Sequence, residues 1–493
     1  MNIPPHYREL AKHSAIYGGG QVLTRLASFL LLPIYTTYLR PSDYGVIAIL
    51  DLIAGLLSIM IASGMLGAMN RYHFEAKSDK SRRQVWWTGL TFIATTSTVF
   101  VLMGLVLRDE LAGQIVGAAV PEGGFYLILI LATFWFGSLG QLPALFLRIH
   151  KRSDIFVGFS LARLIINIAL NVYFLVFLDL GITGILTGNL VAECANTLGL
   201  MSIFSRRLGA YAFEWSLGAQ LYKFGAPLVL TGLFSTGMHQ ANRYFLNVFL
   251  DLEEVGLYSI AYTIAQAVNS LCLLPFAMIW SVLIYEIANQ PNAKEIYVCV
   301  FEYFTYGVAL ILFGVSLFAK PLLQVIVAPD YLSAERFIPI LCLAFLIFSL
   351  HEHFKVPVLL SKRTIVLIPV AAVAALVNIG ANLAFIPLYG AAGAAWASVL
   401  TFAFYSLGGL WWYRKIDCYE YPLKKGALVV VGLCVSYLGF KVLEQSQIQN
   451  GLLFSLGTLI WLFWAIGLFG MPVWRFLREV DIERVRNRVF SKP

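Results

Sequence analysis

Of the 493 residues, 59% are hydrophobic and only 13% are charged, with a mean hydropathy of +0.77. No soluble protein of this length carries such a surface, so the chain reads as an all-α polytopic membrane protein. The formal charge of +8 excludes little until the cations are placed, because a basic excess serves nucleic acid, anionic lipid and membrane topology alike.

The opening "MNIPPHYRELAKH" runs into an apolar stretch with no small-residue cleavage site, which predicts an uncleaved first helix. That first span, 14–38, carries Tyr17, Gln21, Arg25 and Ser28 on one face, with Arg25 near its midpoint. A guanidinium there costs about 2.5 to 3.5 kcal/mol on a lone helix, so it must face protein, water or an anion. Spans 45–69, 86–107, 124–147, 155–177 and 182–203 follow; the second contains Asp51, the fifth Arg163, Asn167 and Asn171, and the sixth Asn189, Glu193 and Asn196. Next come 224–249, with His239, Arg243 and Asn247, and 255–285, with Tyr258, Tyr262, Gln266 and Asn269. Spans 296–318, 335–358, 364–386, 391–413, 426–444 and 451–471 complete about fourteen. The tail "RFLREVDIERVRNRVF" predicts a basic amphipathic helix on the cytoplasmic face.

With the N-terminus in the cytoplasm, 27 of the 35 Lys and Arg fall on the cytoplasmic side and only Arg25, Arg163 and Arg243 lie inside spans. Topology thus accounts for the basic charge, and no nucleic-acid partner is called for. Both termini are expected in the cytoplasm. None of the six cysteines sits where an oxidising compartment would pair it.

The chain is written twice. At a spacing of 211 residues, Tyr38-Leu39 matches Phe249-Leu250, Gly45 matches Gly256, Lys151-Arg152 matches Lys362-Arg363, and Asn167 and Asn171 match Asn378 and Asn382. After one short loop the register slips by two, so Gly181 and Gly184 answer to Gly390 and Gly393. Six spans per copy make the repeat parallel. The expected divisions are a first lobe over 1–207, a second over 208–418, two extra helices over 419–471 and the tail over 472–493.

The stretches "LLLPIYTTYLRPSDYGVIAIL", "IASGMLGAMNRYHFE" and "VNIGANLAFIPLYGAAGAAWASVLTF" resemble the polysaccharide transport family, the O-antigen and exopolysaccharide repeat-unit flippases of the multidrug/oligosaccharidyl-lipid/polysaccharide flippase superfamily. The resemblance implies two six-helix lobes in a V around a central cavity. It also implies alternating access and an undecaprenyl-pyrophosphate-linked oligosaccharide moved from the cytoplasmic to the periplasmic leaflet of a bacterial inner membrane. Implied partners are the lipid-linked substrate and membrane lipids, with polysaccharide polymerase, chain-length machinery and a coupling proton or sodium ion as further candidates. No cofactor is expected.

The residues supply candidate roles. Arg25 is the leading pyrophosphate contact, with Arg163 and Arg243 as helpers, because guanidinium forks fit a dense dianion. Gln21, His239, Tyr262, Gln266 and Asn269 offer donors and acceptors for sugar hydroxyls, although a Tyr row is as often packing. Arg163 and Glu193 lie about 12 and 15 Å from the cytoplasmic ends of adjacent helices, so they form either a structural ion pair or a cavity pair. Asp51 and Arg243, each about 9 Å from the periplasmic end, are candidates for an outward gate. "HEH" at 351–353 splits its histidines between helix faces and predicts no metal site. The rival readings are a cation-coupled drug antiporter of the same superfamily, using Asp51 and Glu193, and a polysaccharide polymerase or ligase. The latter is disfavoured because the longest outside loops, near 108–123 and 319–334, are only about sixteen residues.

Overall fold

The computed structural model describes residues 31–117, 120–150, 152–288, 290–361, 363–446 and 450–479. Among them there is no strand. The helices are α1 (Leu32–Tyr38), α2 (Pro41–Glu75), α3 (Asp79–Val106), α4 (Gly123–Ile149), α5 (Ser153–Val172), α6 (Gly181–Leu208) and α7 (Trp215–Phe249). They continue as α8 (Leu252–Ile287), α9 (Ala293–Leu317), α10 (Ile338–Phe354), α11 (Leu367–Tyr389), α12 (Ala391–Tyr413), α13 (Leu423–Gln445) and α14 (Asn450–Glu479). Eleven helices among the described residues are long and apolar enough to cross a membrane. The 28-residue α6 and 35-residue α7 fall outside that set by composition, not length. The chain is therefore a multi-pass membrane protein. Helix α14 runs unbroken to Glu479, and the rest of the tail expected over 472–493 lies outside the described residues.

Local chemistry sets the helix starts. Pro41 opens α2 with a fixed φ, and the Asp43 carboxylate accepts the Arg40 backbone N–H at 3.0 Å. Ser78 caps α3 and Asp251 caps α8. Gly181 and Gly390, two repeat partners, both have positive φ, 53° and 60°, and turn the chain into α6 and α12. Short connections make successive helices antiparallel, so Lys and Arg gather at one end of the bundle, here the basic end; the opposite end is the far end.

The repeat extends to single hydrogen bonds. Thr197 Oγ1 donates to the Phe136 carbonyl at 2.9 Å, and its counterpart Ser406 Oγ donates to the Ile347 carbonyl at 2.8 Å. Ser138 bonds back to Trp135 O at 2.9 Å and Ser349 to Leu346 O at 2.7 Å. Both offsets read from the sequence, 211 and 209, therefore hold in three dimensions.

Two glycine crossings join the halves through α2. At the far end α2 meets α8, where a Cβ on Gly45 would collide with the Leu252 carbonyl oxygen and a Cβ on Gly256 with that of Pro41. Toward the basic end α2 meets α7, where a Cβ on Gly64 would lie 2.5 Å from the Gly225 carbonyl oxygen. Only glycine allows backbones this close. Tyr331 OH donates to Leu39 O at 3.1 Å and Asn247 Nδ2 to Ile115 O at 2.7 Å, adding ties at the far end. At the basic end the Arg71 guanidinium lies 4.8 Å over the Phe224 ring. Helices α13 and α14 pack on α9, with Trp461 Nε1 donating to Leu310 O at 3.0 Å, and they leave Leu428 and Phe463 on the outside of the bundle.

Candidate functional site

Where α2, α4, α5 and α6 diverge, the first half forms an open-sided cavity of about 340 Å³, in the range of small-molecule sites. Its polar lining comes from Asp51 and Ser58 on α2, Gln141 on α4, Arg163 and Asn167 on α5, and Asn189 and Glu193 on α6. Gly137 on α4 makes room, because any side chain there would fill the space beside Glu193. Arg163 Nε meets Glu193 Oε2 at 2.7 Å; the Arg163 side chain is half exposed to the cavity while that of Glu193 is 8% exposed. Gln141 Nε2 donates to Ser58 Oγ at 2.9 Å and so ties α4 to α2.

Beside the cavity, nearer the far end, sits an amide knot. Asn167 Nδ2 donates to Asn189 Oδ1 at 2.6 Å, and the buried Asn171 Nδ2 reaches Tyr35 OH at 2.7 Å and Asn189 Oδ1 at 3.2 Å. The second half repeats it with Asn378 and Asn382 both donating to Asn242 Oδ1 at 2.9 Å, while Asn242 Nδ2 reaches Ser398 Oγ and Tyr258 OH, each at 2.7 Å. Ser398 is the counterpart of Asn189. This second knot is sealed, every side chain in it being buried.

The cavity itself is not repeated. By the same offsets, Asp51, Gly137, Arg163 and Glu193 correspond to Tyr262, Phe348, Ala374 and Phe402. In the second half those rings fill the space: His239 Nδ1 and Tyr262 OH lie 2.9 Å apart, and the His239 ring stands 4.9 Å from Phe348 and 5.1 Å from Phe402. One half is hollow and charged; the other is plugged with aromatic rings.

Of the residues singled out from the sequence, Asp51, Arg163 and Glu193 come together around this cavity, with Asn167 and Asn189. Arg25 and Gln21 lie outside the described residues. His239 and Tyr262 belong to the aromatic plug, Asn269 is buried, and Gln266 is half-buried on α8. Between Asp51 and Arg243 no direct ion pair forms. Arg243 instead donates to Gln240 and lies 5.6 Å over the Tyr262 ring, though its charge still reaches Asp51. Sequence reasoning missed Gly137, Ser58 and Gln141. The offset of 211 was the available signal, because it sets Gly137 against a phenylalanine.

A family model described as polysaccharide biosynthesis protein matches residues 10–284. No curated protein matches the chain. Among solved structures, the fold is similar to the lipid II flippase MurJ in an inward closed conformation, with a TM-score of 0.76 at 11% identity, covering 94% of this chain and all of that one. It is also similar to an inward-facing multidrug resistance MATE family transporter of the MOP superfamily, with a TM-score of 0.64 at 14% identity over 80% of this chain and 98% of that one. A MOP superfamily transporter from Pyrococcus furiosus matches with a TM-score of 0.55 at 14% identity, over 84% of this chain and 95% of that one. The fold is thus that of the flippases and transporters of this superfamily.

Proposed function

The chain belongs to the polysaccharide biosynthesis protein family, and from that premise we propose that it is a flippase. It carries an undecaprenyl-pyrophosphate-linked oligosaccharide repeat unit from the cytoplasmic to the outer leaflet of a bacterial inner membrane, with both termini cytoplasmic. It acts as a transporter, not an enzyme.

The observation that carries this reading is the charged cavity of the first half, held between two glycine crossings. A compartment inside the membrane, with one crossing toward each end, is what alternating access needs: cargo enters when one crossing parts and leaves when the other does. Within it, Arg163 waits on Glu193 until a stronger anion arrives. A pyrophosphate carries more charge than a carboxylate and accepts both arms of the guanidinium fork. Arg25, on the first span, supplies a second cation, and Arg243 on α7 adds a third whose charge acts on Asp51 in the cavity wall. Membrane lipids surround the assembly, and the enzymes that polymerise the flipped unit receive it on the far side.

The test uses a strain lacking this protein, with lipid-linked oligosaccharide assayed by leaflet. The flippase reading expects cytoplasmic build-up, relieved by the wild-type chain and by neither Arg25→Ala nor Arg163→Ala at normal abundance. One observation favours a second reading, the cation-coupled antiporter: the Asp51 carboxylate lies exposed on the cavity. Absence of any build-up would select that reading, with Asp51 and Glu193 as the next residues to change.

A further inference from the structure

The polar groups lining the first-half cavity are bonded to one another or to backbone, with one exception. Ser58 accepts from Gln141, Arg163 pairs with Glu193, and Asn167 and Asn189 are tied into the amide knot. The lining hydroxyls of α4 and α5 donate to backbone carbonyls of their own helices. Among the described residues of the lining, Asp51 alone has neither a hydrogen bond nor an ion pair. Arg243, whose charge reaches it, is turned onto Gln240 and the Tyr262 ring. A carboxylate left open inside a membrane span is costly, so its freedom points to a partner that comes and goes. The duplicated frame does not need it: the second half sets Tyr262 at the corresponding place, inside the aromatic plug.

The depth of Asp51 narrows the choice of partner. Counted from the far ends of their helices, Asp51, Asn167 and Asn189 lie about 12 to 15 Å deep and Arg163 and Glu193 about 18 to 21 Å deep, a step of one helical turn. The free carboxylate thus stands one turn to the far side of the guanidinium. An ionised carboxylate only accepts hydrogen bonds, so its partner must bring donors, and a phosphate is repelled toward Arg163. Metal ions fit poorly. Hard cations such as calcium and magnesium take about six or more oxygens, and at this level the Asn189 oxygen already accepts from two amides. Two hydroxyl groups on neighbouring carbons of a sugar match the two oxygens of a carboxylate. In a lipid-linked oligosaccharide such hydroxyls lie one step from the pyrophosphate, on the sugar attached to it.

We propose that Asp51 is the sugar contact of the charged cavity: its carboxylate accepts from the hydroxyl groups of the first sugar while Arg163 holds the pyrophosphate one turn nearer the basic end. The proposal rests on the flippase reading and adds to it the direction in which the cargo lies.

The test measures binding of two lipids to the purified chain in detergent, a polyprenyl pyrophosphate without sugar and the same lipid bearing one hexose. The wild type should bind the hexose-bearing lipid about tenfold more tightly, as hydrogen bonds to a charged acceptor allow. Asp51→Ala should erase that difference and bind the bare lipid at least as tightly as the wild type, because a repelling charge is gone. Asp51→Asn keeps one acceptor oxygen and the size of the side chain. It should retain part of the preference, and it replaces the alanine variant in the comparison if that chain fails to fold. Arg163→Ala should weaken both lipids alike. Equal binding of the two lipids by the wild type would overturn the proposal, and so would a preference that survives Asp51→Ala. An equal loss on both lipids in Asp51→Ala would also overturn it and return Asp51 to the cation-coupled reading. If the wild type bound neither lipid, the flippase reading itself would fail, a separate outcome.

Discussion

At the scale of single residues, the two halves spend their buried polar groups differently. Asn242 is the hub of the sealed knot, making bonds to Asn378, Asn382, Ser398 and Tyr258 and to the Ala394 carbonyl. Asn242→Ala leaves all of these partners buried and short of a bond, at about 1 to 3 kcal/mol for each unsatisfied group before relaxation. Tyr35→Phe removes one bond to a knot already open to a cavity, at about 1 kcal/mol. Thermal unfolding in detergent should therefore show a drop several times larger for Asn242→Ala than for Tyr35→Phe, and equal drops would refute the contrast between sealed and open knots. The Arg163–Glu193 pair lies between these cases. Arg163→Ala strands a nearly buried carboxylate, whereas Glu193→Gln leaves an amide that still bonds and an arginine that the cavity can hydrate. The arginine change should destabilise more. The Asn rows and both charges were legible in the sequence because polar residues in an apolar helix stand out at helical spacing. The hollow was not: an aromatic ring scores the same in a hydropathy profile whether it faces lipid or plugs a cavity, and only Gly137 set against Phe348 carried a trace.

At the scale of helices, α2 is the common member of both crossings, so its two glycines control opposite ends. Gly45→Val drives a branched side chain into the Leu252 carbonyl and should part α2 from α8; Gly64→Val should part α2 from α7. With a cysteine at Ala54, beside the cavity, a membrane-impermeant maleimide should label Gly45→Val from the far-end side and Gly64→Val from the basic-end side. The same pattern of labelling in both variants would rule out separate crossings. Most helix limits follow the sequence within a few residues, because an apolar run ends where its capping residues stand, as at Pro41 and Asp251. The start of α7 departs most, beginning at Trp215 and not near 224. Its first turns are held by protein contacts: Gly218 lies against the Phe92 ring, and the Glu214 N–H donates to Thr88 Oγ1 at 3.0 Å. A hydropathy profile registers lipid and is blind to such partners.

At the scale of the whole molecule, α13 and α14 stand outside the duplicated part and touch it mainly along α9, through Trp461 and Gly314. A chain ending after Pro422, which retains the buried Tyr419 and Tyr421, should keep the Arg163–Glu193 cavity and both crossings, and should melt only a few degrees lower, since it loses one lateral face and no part of either knot. Circular dichroism against temperature, with the maleimide pattern above as the structural check, decides it. Collapse of the truncated chain would mean that the two helices brace the second half.

The far-end crossing has one more consequence. Pro41 with Gly256, and Leu252 with Gly45, form an isologous contact, the kind a twofold homodimer makes with itself. In a homodimer every substitution appears on both sides of the axis, so a cavity gained by one subunit is gained by the other and a plug is duplicated as well. Joining the copies in one chain removes that constraint while keeping the self-complementary seam. The seam stays symmetric because each glycine still needs the other's backbone, and away from it the copies are free to diverge: one hollow and charged, the other filled with rings.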